Sequence, residues 1–331
     1  LDSLTQLTLG AAVGEMVLGP KVGRKAMAWG AALATLPDLD VFIPMGGPVN
    51  DFVYHRGFSH SLLLLALLSP LLAWGITRIH PSTKDHYKGW LLLSFLVLQT
   101  SVLLDYLTIY GTQILWPFDK TPLAWPVFFI IDPLFTLPIL SGVLAALFLS
   151  RKGRLGYRLN RIGLMVGLLY VVWAFGAKAF VDDRVREKLA DQNIPYAKVI
   201  VSPAPFTTLL WRVVGIQQDQ YFEAYTSLFD GDAALSVRHY PRHSALKKGL
   251  EDHPPVVKLQ WFTRGYWAMG EQNGSISMTD LRMGSEPDYV FSFKVGSRAR
   301  ENNQPIEEER IWRRQDWRRL KWVWQRIWSP P

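Results

Sequence analysis

Four apolar runs, 61–79, 89–104, 126–149 and 162–180, dominate the first part of the chain, and each is close to the roughly 20 residues a helix needs to cross a bilayer. Two shorter Ala- and Gly-rich runs, 4–18 and 26–36, precede them, joined by Gly19-Pro20-Lys21-Val22-Gly23-Arg24-Lys25. Each is too short to span alone, but small residues let helices approach closely inside a bundle. The expectation is a polytopic transmembrane helical bundle with four spans, or up to six if the short hairpin also crosses.

Charge marks where this bundle ends. Residues 1–181 hold 14 of the 36 lysines and arginines and 9 of the 28 carboxylates, whereas residues 182–331 hold 22 and 19. The predicted division is a membrane domain over 1–181, a charged connecting helix over 182–194, and a small α+β or β-rich soluble domain over 195–331. Within the last part a helix is expected around 206–214. Strands are expected at 256–262 and 289–295, where apolar and aromatic residues cluster or alternate. The fold class is therefore mainly α, followed by a sheet-containing domain.

The basic residues of the membrane part sort by loop. Lys21, Arg24, Lys25, Arg78, Lys84, Lys88, Arg151, Lys152, Arg154, Arg158 and Arg161 fall on one side if all six segments cross, and the positive-inside rule makes that side cytoplasmic. Asp2, Asp38, Asp40, Asp51, Asp105, Asp119 and Asp132 then gather at the opposite face. The predicted location is the inner (cytoplasmic) membrane, with the polar cluster and the C-terminal domain on the periplasmic or outer face. Asp2 stands where a signal peptide would carry a basic n-region, so insertion is expected to rest on the internal helices.

Cysteine is absent, which excludes disulfides, thiolate nucleophiles and Cys-ligated zinc. Any metal must be held by His, Asp, Glu, hydroxyls or water. The donors for such a site cluster at the ends of apolar segments. His55-Arg56-Gly57-Phe58-Ser59-His60-Ser61 places two imidazoles and a guanidinium at the mouth of the 61–79 run, where ionisable groups are costly without a role. Pro37-Asp38-Leu39-Asp40 supplies two carboxylates of the kind hard cations take. Asp105 and Thr108, three residues apart at the end of the 89–104 run, share one helical face. Asp132 lies inside the 126–149 run and Glu15 inside the first.

Taken singly, each motif has a structural explanation: a helix cap, a solvated turn, or a hydrogen bond to a neighbouring helix. Together, Asp38, Asp40, His55, His60 and Asp105 make a metal-ligand inventory, with Thr108 as a further donor, Asp132 as a carboxylate able to accept a proton and Arg56 able to hold an anionic group.

The C-terminal run 310–328 alternates cations with Trp312, Trp317, Trp322, Trp324 and Trp328. The favoured reading is a half-exposed strand or helix packed on the soluble domain, its basic side chains lying over the indoles. Anionic headgroups or single-stranded nucleic acid are the alternative ligands, and nucleic acid is not favoured.

The ordered set 1–6 (LDSLTQ), 10–15 (GAAVGE), 36–40 (LPDLD), 55–61 (HRGFSHS), 105–112 (DYLTIYGT) and 116–118 (WPF) resembles the YdjM-like family of membrane-bound metal-dependent hydrolases. The resemblance covers about residues 1–150. That family is similar, distantly, to zinc-dependent phospholipase C. The resemblance implies a divalent metal, zinc, held by Asp38, Asp40, His55, His60 and Asp105, and a metal-activated water attacking a lipid or lipid-linked phosphoester. Many members have histidine where this chain has Gln6, so Gln6 and Glu15 stand as additional candidate ligands. Two other functions fit the same residues: a non-catalytic scaffold with a structural metal whose soluble domain binds an envelope partner, and a transporter.

Overall fold

A computed structural model describes residues 2–149, 154–299, 302–312 and 318–329. Arg151, Lys152, Arg313, Arg314 and Trp317 lie outside the described residues. The chain forms a helical first half followed by a sheet-rich second half, and it divides into two units: residues 1–42 with 56–176, and residues 43–55 with 177–331.

In the first unit, α1 (Ser3–Val22) begins where the Asp2 side chain accepts a hydrogen bond from the Thr5 amide at 3.0 Å, which satisfies one of the unpaired donors of the first turn. It ends at Gly23, whose φ of 67° reverses the chain. Helix α2 (Arg24–Thr35) then runs back along α1. Gly10 meets Gly30 and Gly14 meets Ala26, backbone against backbone, so this is the close hairpin that the small residues predict. Helix α1 extends four residues beyond the apolar run, because Lys21 and Val22 continue its last turn.

After α3 (Pro48–Tyr54), which belongs to the second unit, come α4 (Leu62–Ile79) and α5 (Tyr87–Tyr106). Helix α6 (Pro133–Leu149) is followed by α7 (Leu155–Asp191). Among the described residues three helical stretches are long and apolar enough to cross a membrane: Leu62–Ile79, Pro81–Tyr106 and Leu155–Asp191. Exposed apolar side chains such as Leu67, Leu71, Leu168 and Val172 are the surface a bilayer would cover. The fourth expected span is shorter than its apolar run. Residues 126–132 are non-helical, with the Trp125 and Val127 amides bonded to the Tyr106 and Leu107 carbonyls at 2.9 Å each, and helix starts only at Pro133. The resulting 17-residue α6 is apolar but short.

The second unit holds two antiparallel sheets. One is β1 (Lys198–Pro203), β2 (Leu210–Ile216), β3 (Gln220–Ser227) and β4 (Arg238–Pro241), in that spatial order. After α8 (Pro254–Phe262) come β5 (Trp267–Gln272), β6 (Ser275–Asp280), the two-residue pair β7 (Gly284–Ser285) and β8 (Asp288–Tyr289), β9 (Ser292–Ser297) and β10 (Gln304–Ile311). The second sheet has the order β10-β9-β6-β5. Helix α9 (Arg319–Trp328) closes the described chain.

Three local expectations change. The helix expected at 206–214 is strand β2, which pairs with β1 and β3 on either side and is buried at every residue; a central strand covered on both faces loses the alternation that identifies strands. The strand expected at 256–262 is helix α8, opened by Pro254-Pro255 and burying Val256, Leu259 and Phe262 at helical spacing. The connecting helix expected at 182–194 is the continuation of α7, where Val181, Val185 and Leu189 pack on Trp211, Val213 and Phe222 of the first sheet.

The two compact units part between residues 176 and 177, with one earlier segment grouped in the second. Residues 43–55 join the second unit because Phe52 sits in an aromatic cluster, its ring centroid 4.8 Å from that of Phe262, 4.3 Å from Phe291 and 5.3 Å from Phe293. Asn50 accepts a hydrogen bond from Lys258 Nζ at 2.6 Å in the same region.

The α1–α2 hairpin yields the first prediction. A Cβ on Gly14 would overlap the Ala26 carbonyl oxygen, and neither backbone can yield without separating the helices. Gly14→Ala should destabilise the first unit by about 1–3 kcal/mol, read as a lowered apparent melting temperature in detergent. Gly75→Ala, where a Cβ meets nothing within 4 Å, should leave it unchanged or slightly raised.

Candidate metal centre

The first unit brings three donors together from three elements. Asp38 lies on the 3-10 turn Pro37–Phe42 that follows α2, His60 on the 3-10 turn Phe58–His60 ahead of α4, and Asp105 on the last turn of α5. Their ligand atoms lie within 4.8 Å of one another. His60 Nε2 is 3.2 Å from Asp38 Oδ1 and 3.4 Å from Asp105 Oδ2. His60 and Asp105 are fully buried, while the Asp38 side chain is 23% exposed, so the group opens to its surroundings at Asp38.

The other face of the imidazole is held by a relay. Ser59 Oγ donates to Asp40 Oδ2 at 2.6 Å. The single hydroxyl proton is thereby committed, and Ser59 Oγ, 2.9 Å from His60 Nδ1, is left to accept from the ring. With Nδ1 protonated in this way, Nε2 faces the two carboxylates and would present its lone pair to an ion bound among them, as an outer carboxylate arranges for a ligating histidine. Asp40 also accepts from the Arg56 backbone amide at 3.0 Å, so it supports the 55–61 loop as well.

Asp105 is surrounded. Arg56 Nη2 lies 2.9 Å from Oδ1 and Gln6 Nε2 donates to Oδ2 at 2.9 Å. Arg56 Nη1 donates to Thr108 Oγ1 at 3.2 Å, and that hydroxyl donates to the Asp105 carbonyl at 2.7 Å. The guanidinium also lies 5.0 Å from the centroid of the Tyr110 ring. Buried in this way, Arg56 is a partner of Asp105 first, and its role toward any bound anion is secondary to that pairing.

Three further expected site residues make other contacts. His55 ends α3, and its amide bonds to the Asp51 carbonyl at 3.2 Å; it falls in the second unit. Asp132 Oδ1 accepts from the Leu134 and Phe135 amides at 3.1 and 3.4 Å, and Oδ2 accepts from Tyr170 at 2.8 Å. That is a helix cap for α6, which occupies both of its oxygens. Glu15 is buried on α1 with its carboxylate turned along the helix over Gly19. Ser59 carries a function that its type alone does not signal, and the only sequence cue is its place beside His60 in the motif.

A divalent cation fits the donors present. Two carboxylates and one imidazole are a usual set for such ions, and Gln6 adds a buried amide oxygen, Oε1, that has no hydrogen-bond partner among the described residues. An unpartnered buried oxygen is costly, and it lies on the residue that already touches the candidate ligand Asp105.

Comparison with known proteins decides the family, since the model of the YdjM inner membrane proteins matches residues 1–181. The chain belongs to the YdjM family. Asp38, His60, Asp105 and Gln6 all lie in the matched part. This YdjM protein is also 30% identical over 312 residues to the uncharacterised protein YfhP of Bacillus subtilis (strain 168), covering 88% of this chain and 89% of YfhP. That likeness extends beyond the membrane part into the sheet-rich half. No solved structure matches the chain.

Burial by itself lowers the pKa of His60, but its bonds to Asp105 and Asp38 outweigh that effect and hold the imidazole above its ordinary value. In metal-free protein the stability from charged His60 is fully present below the ordinary imidazole pKa and is lost as pH rises through the raised one. The apparent melting temperature of metal-free wild type in detergent should therefore fall as pH rises from below the ordinary imidazole pKa through the raised one. His60→Gln should flatten that slope.

Proposed function

We propose that this YdjM protein is a metal-dependent hydrolase of a phosphoester in a lipid or lipid-linked substrate. The observation that carries the reading is the convergence of Asp38, His60 and Asp105 within 4.8 Å. Asp38, His60 and Asp105 would hold the ion, zinc by the family's resemblance to phospholipase C, with Gln6 Oε1 as a further donor. The ion would supply an activated water at neutral pH and would polarise the phosphoryl oxygens. The chain's own residues do the rest. Ser59 and Asp40 fix the tautomer of His60. Arg56 and Gln6 orient Asp105, and the exposed edge of Asp38 is the side from which a substrate reaches the group. The surrounding apolar helices suit a substrate that already resides in the bilayer.

A structural metal is the second reading. It is favoured by the complete burial of His60 and Asp105 and by the bonds that already tie them together. The two readings part on what removing a ligand does.

Elemental analysis of detergent-purified protein should find a divalent metal that is lost in His60→Ala, and chelated wild type should recover it on reloading. Loaded wild type should cleave a model phosphodiester or a short-chain phospholipid. Asp38→Asn, at the partly exposed donor, should abolish turnover with folding retained, and Ser59→Ala should lower metal affinity or turnover by about 10–100-fold. Metal-dependent folding without turnover would favour the structural ion. Wild type that no divalent ion can load would overturn both readings.

A further inference from the structure

The C-terminal helix leaves its tryptophans on the outside. Val323 and Ile327 of α9 pack with Ala204 and Leu210 on the first sheet, and Arg326 turns inward to pair with Asp230, Nη1 to Oδ1 at 2.7 Å and Nη2 to Oδ2 at 2.6 Å. Lys321, Trp324, Gln325 and Trp328, spaced i, i+3, i+4 and i+7, then form one outward stripe, and all four are exposed. Trp324 and Trp328 meet edge to face at 5.8 Å, and Trp328 stacks on Phe229 at 5.1 Å. These three rings are 63%, 55% and 57% exposed, a contiguous aromatic patch that water covers poorly.

The place of the patch within its unit says what covers it. Phe229 lies on the turn after β3, and Arg184 Nη1 of α7 donates to the Ser227 and Leu228 carbonyls of that turn at 3.4 Å each. Arg184 also lies over the Phe180 ring, 4.5 Å from its centroid. Phe180 ends the apolar part of the Leu155–Asp191 candidate span, so the patch sits beside the level at which α7 changes from apolar to charged. Four residues of helix rise about 6 Å, which is within the depth of a headgroup layer. Residues 318–329 contain four cations and no carboxylate.

We propose that α9 and the 227–230 turn lie against the lipid-water interface where α7 leaves the membrane, with Trp324, Trp328 and Phe229 inserted at headgroup depth and Lys321 facing anionic headgroups. Indoles favour that depth, and cations beside them favour anionic lipid. Attachment through α7 keeps the bilayer at high effective concentration, so a modest patch suffices.

The absence of cysteine allows a single reporter. Gln325→Cys, which keeps every ring, is labelled with a nitroxide in full-length protein reconstituted into nanodiscs of phosphatidylcholine and phosphatidylglycerol. Gln272→Cys at the exposed end of β5 serves as the aqueous reference. The label at 325 should lose collisions with an aqueous nickel chelate and gain collisions with oxygen relative to 272. Adding Trp324→Ser and Trp328→Ser should return it to the aqueous value. A label at 325 as accessible to nickel as that at 272 would overturn the proposal, as would one shielded only when single-stranded DNA is added.

Discussion

The buried carboxylate of Asp105 is the constraint on which the first unit depends. A charge without water must be compensated by hydrogen bonds and opposite charge, or it becomes prohibitive. Here the compensation comes from Gln6 on α1, Arg56 from the loop after α3, and His60 from the loop before α4. Each partner is itself held: Arg56 by Thr108 and Tyr110, and His60 by Ser59 and through it Asp40. The result joins the ends of segments that are remote in sequence, and an apolar bundle has few other interactions specific enough to fix the register of one helix end against another. The candidate metal donors and the contacts that pack these helix ends are therefore the same network.

This dependence explains which residues of the site the sequence shows. Asp38, His60 and Asp105 stand where apolar helices begin or end, and a polar group at such a boundary is conspicuous. Arg56 is visible for the same reason, but its partner is not, because the pairing with Asp105 is tertiary. His55 and His60 are alike as sequence: both are histidines in one seven-residue motif. Their surroundings differ: Phe52, three residues before His55, is drawn into an aromatic cluster of the second unit, whereas Arg56 and His60 each pair with Asp105 within the first. Asp132 illustrates the opposite ambiguity, since an acidic residue before proline at the head of an apolar run is equally well placed to cap a helix, and Leu134, Phe135 and Tyr170 occupy it in that role.

The fold was legible to the same extent and for related reasons. Long apolar runs announce α4, α5 and α7, and the glycines of α1 and α2 announce close packing. Strand β2 and helix α8 were not legible, because a strand buried on both faces and a short helix each present a brief apolar run. Neighbours settle them: β1 and β3 supply hydrogen bonds to both edges of β2, whereas Pro254 and Pro255 cannot donate in a sheet and suit a helix start. Helix α7 conceals its boundary in another way. Its backbone is continuous from Leu155 to Asp191, so the change from apolar surface to a face packed on strands occurs in side chains alone.

Helix α9 shows why alternation of cations and indoles does not by itself reveal which group faces outward. Long basic side chains usually cover aromatic rings, and on that expectation the tryptophans would lie underneath. Asp230 reverses the order for one of them. Its carboxylate binds Arg326 through both terminal nitrogens, which draws that arginine into the sheet side with Val323 and Ile327. Once Arg326 is fixed inward, the 100° step of the helix carries residues 324 and 328 outward, and indoles occupy both places. An ion pair thus sets the rotation of the helix, and the rotation exposes the rings.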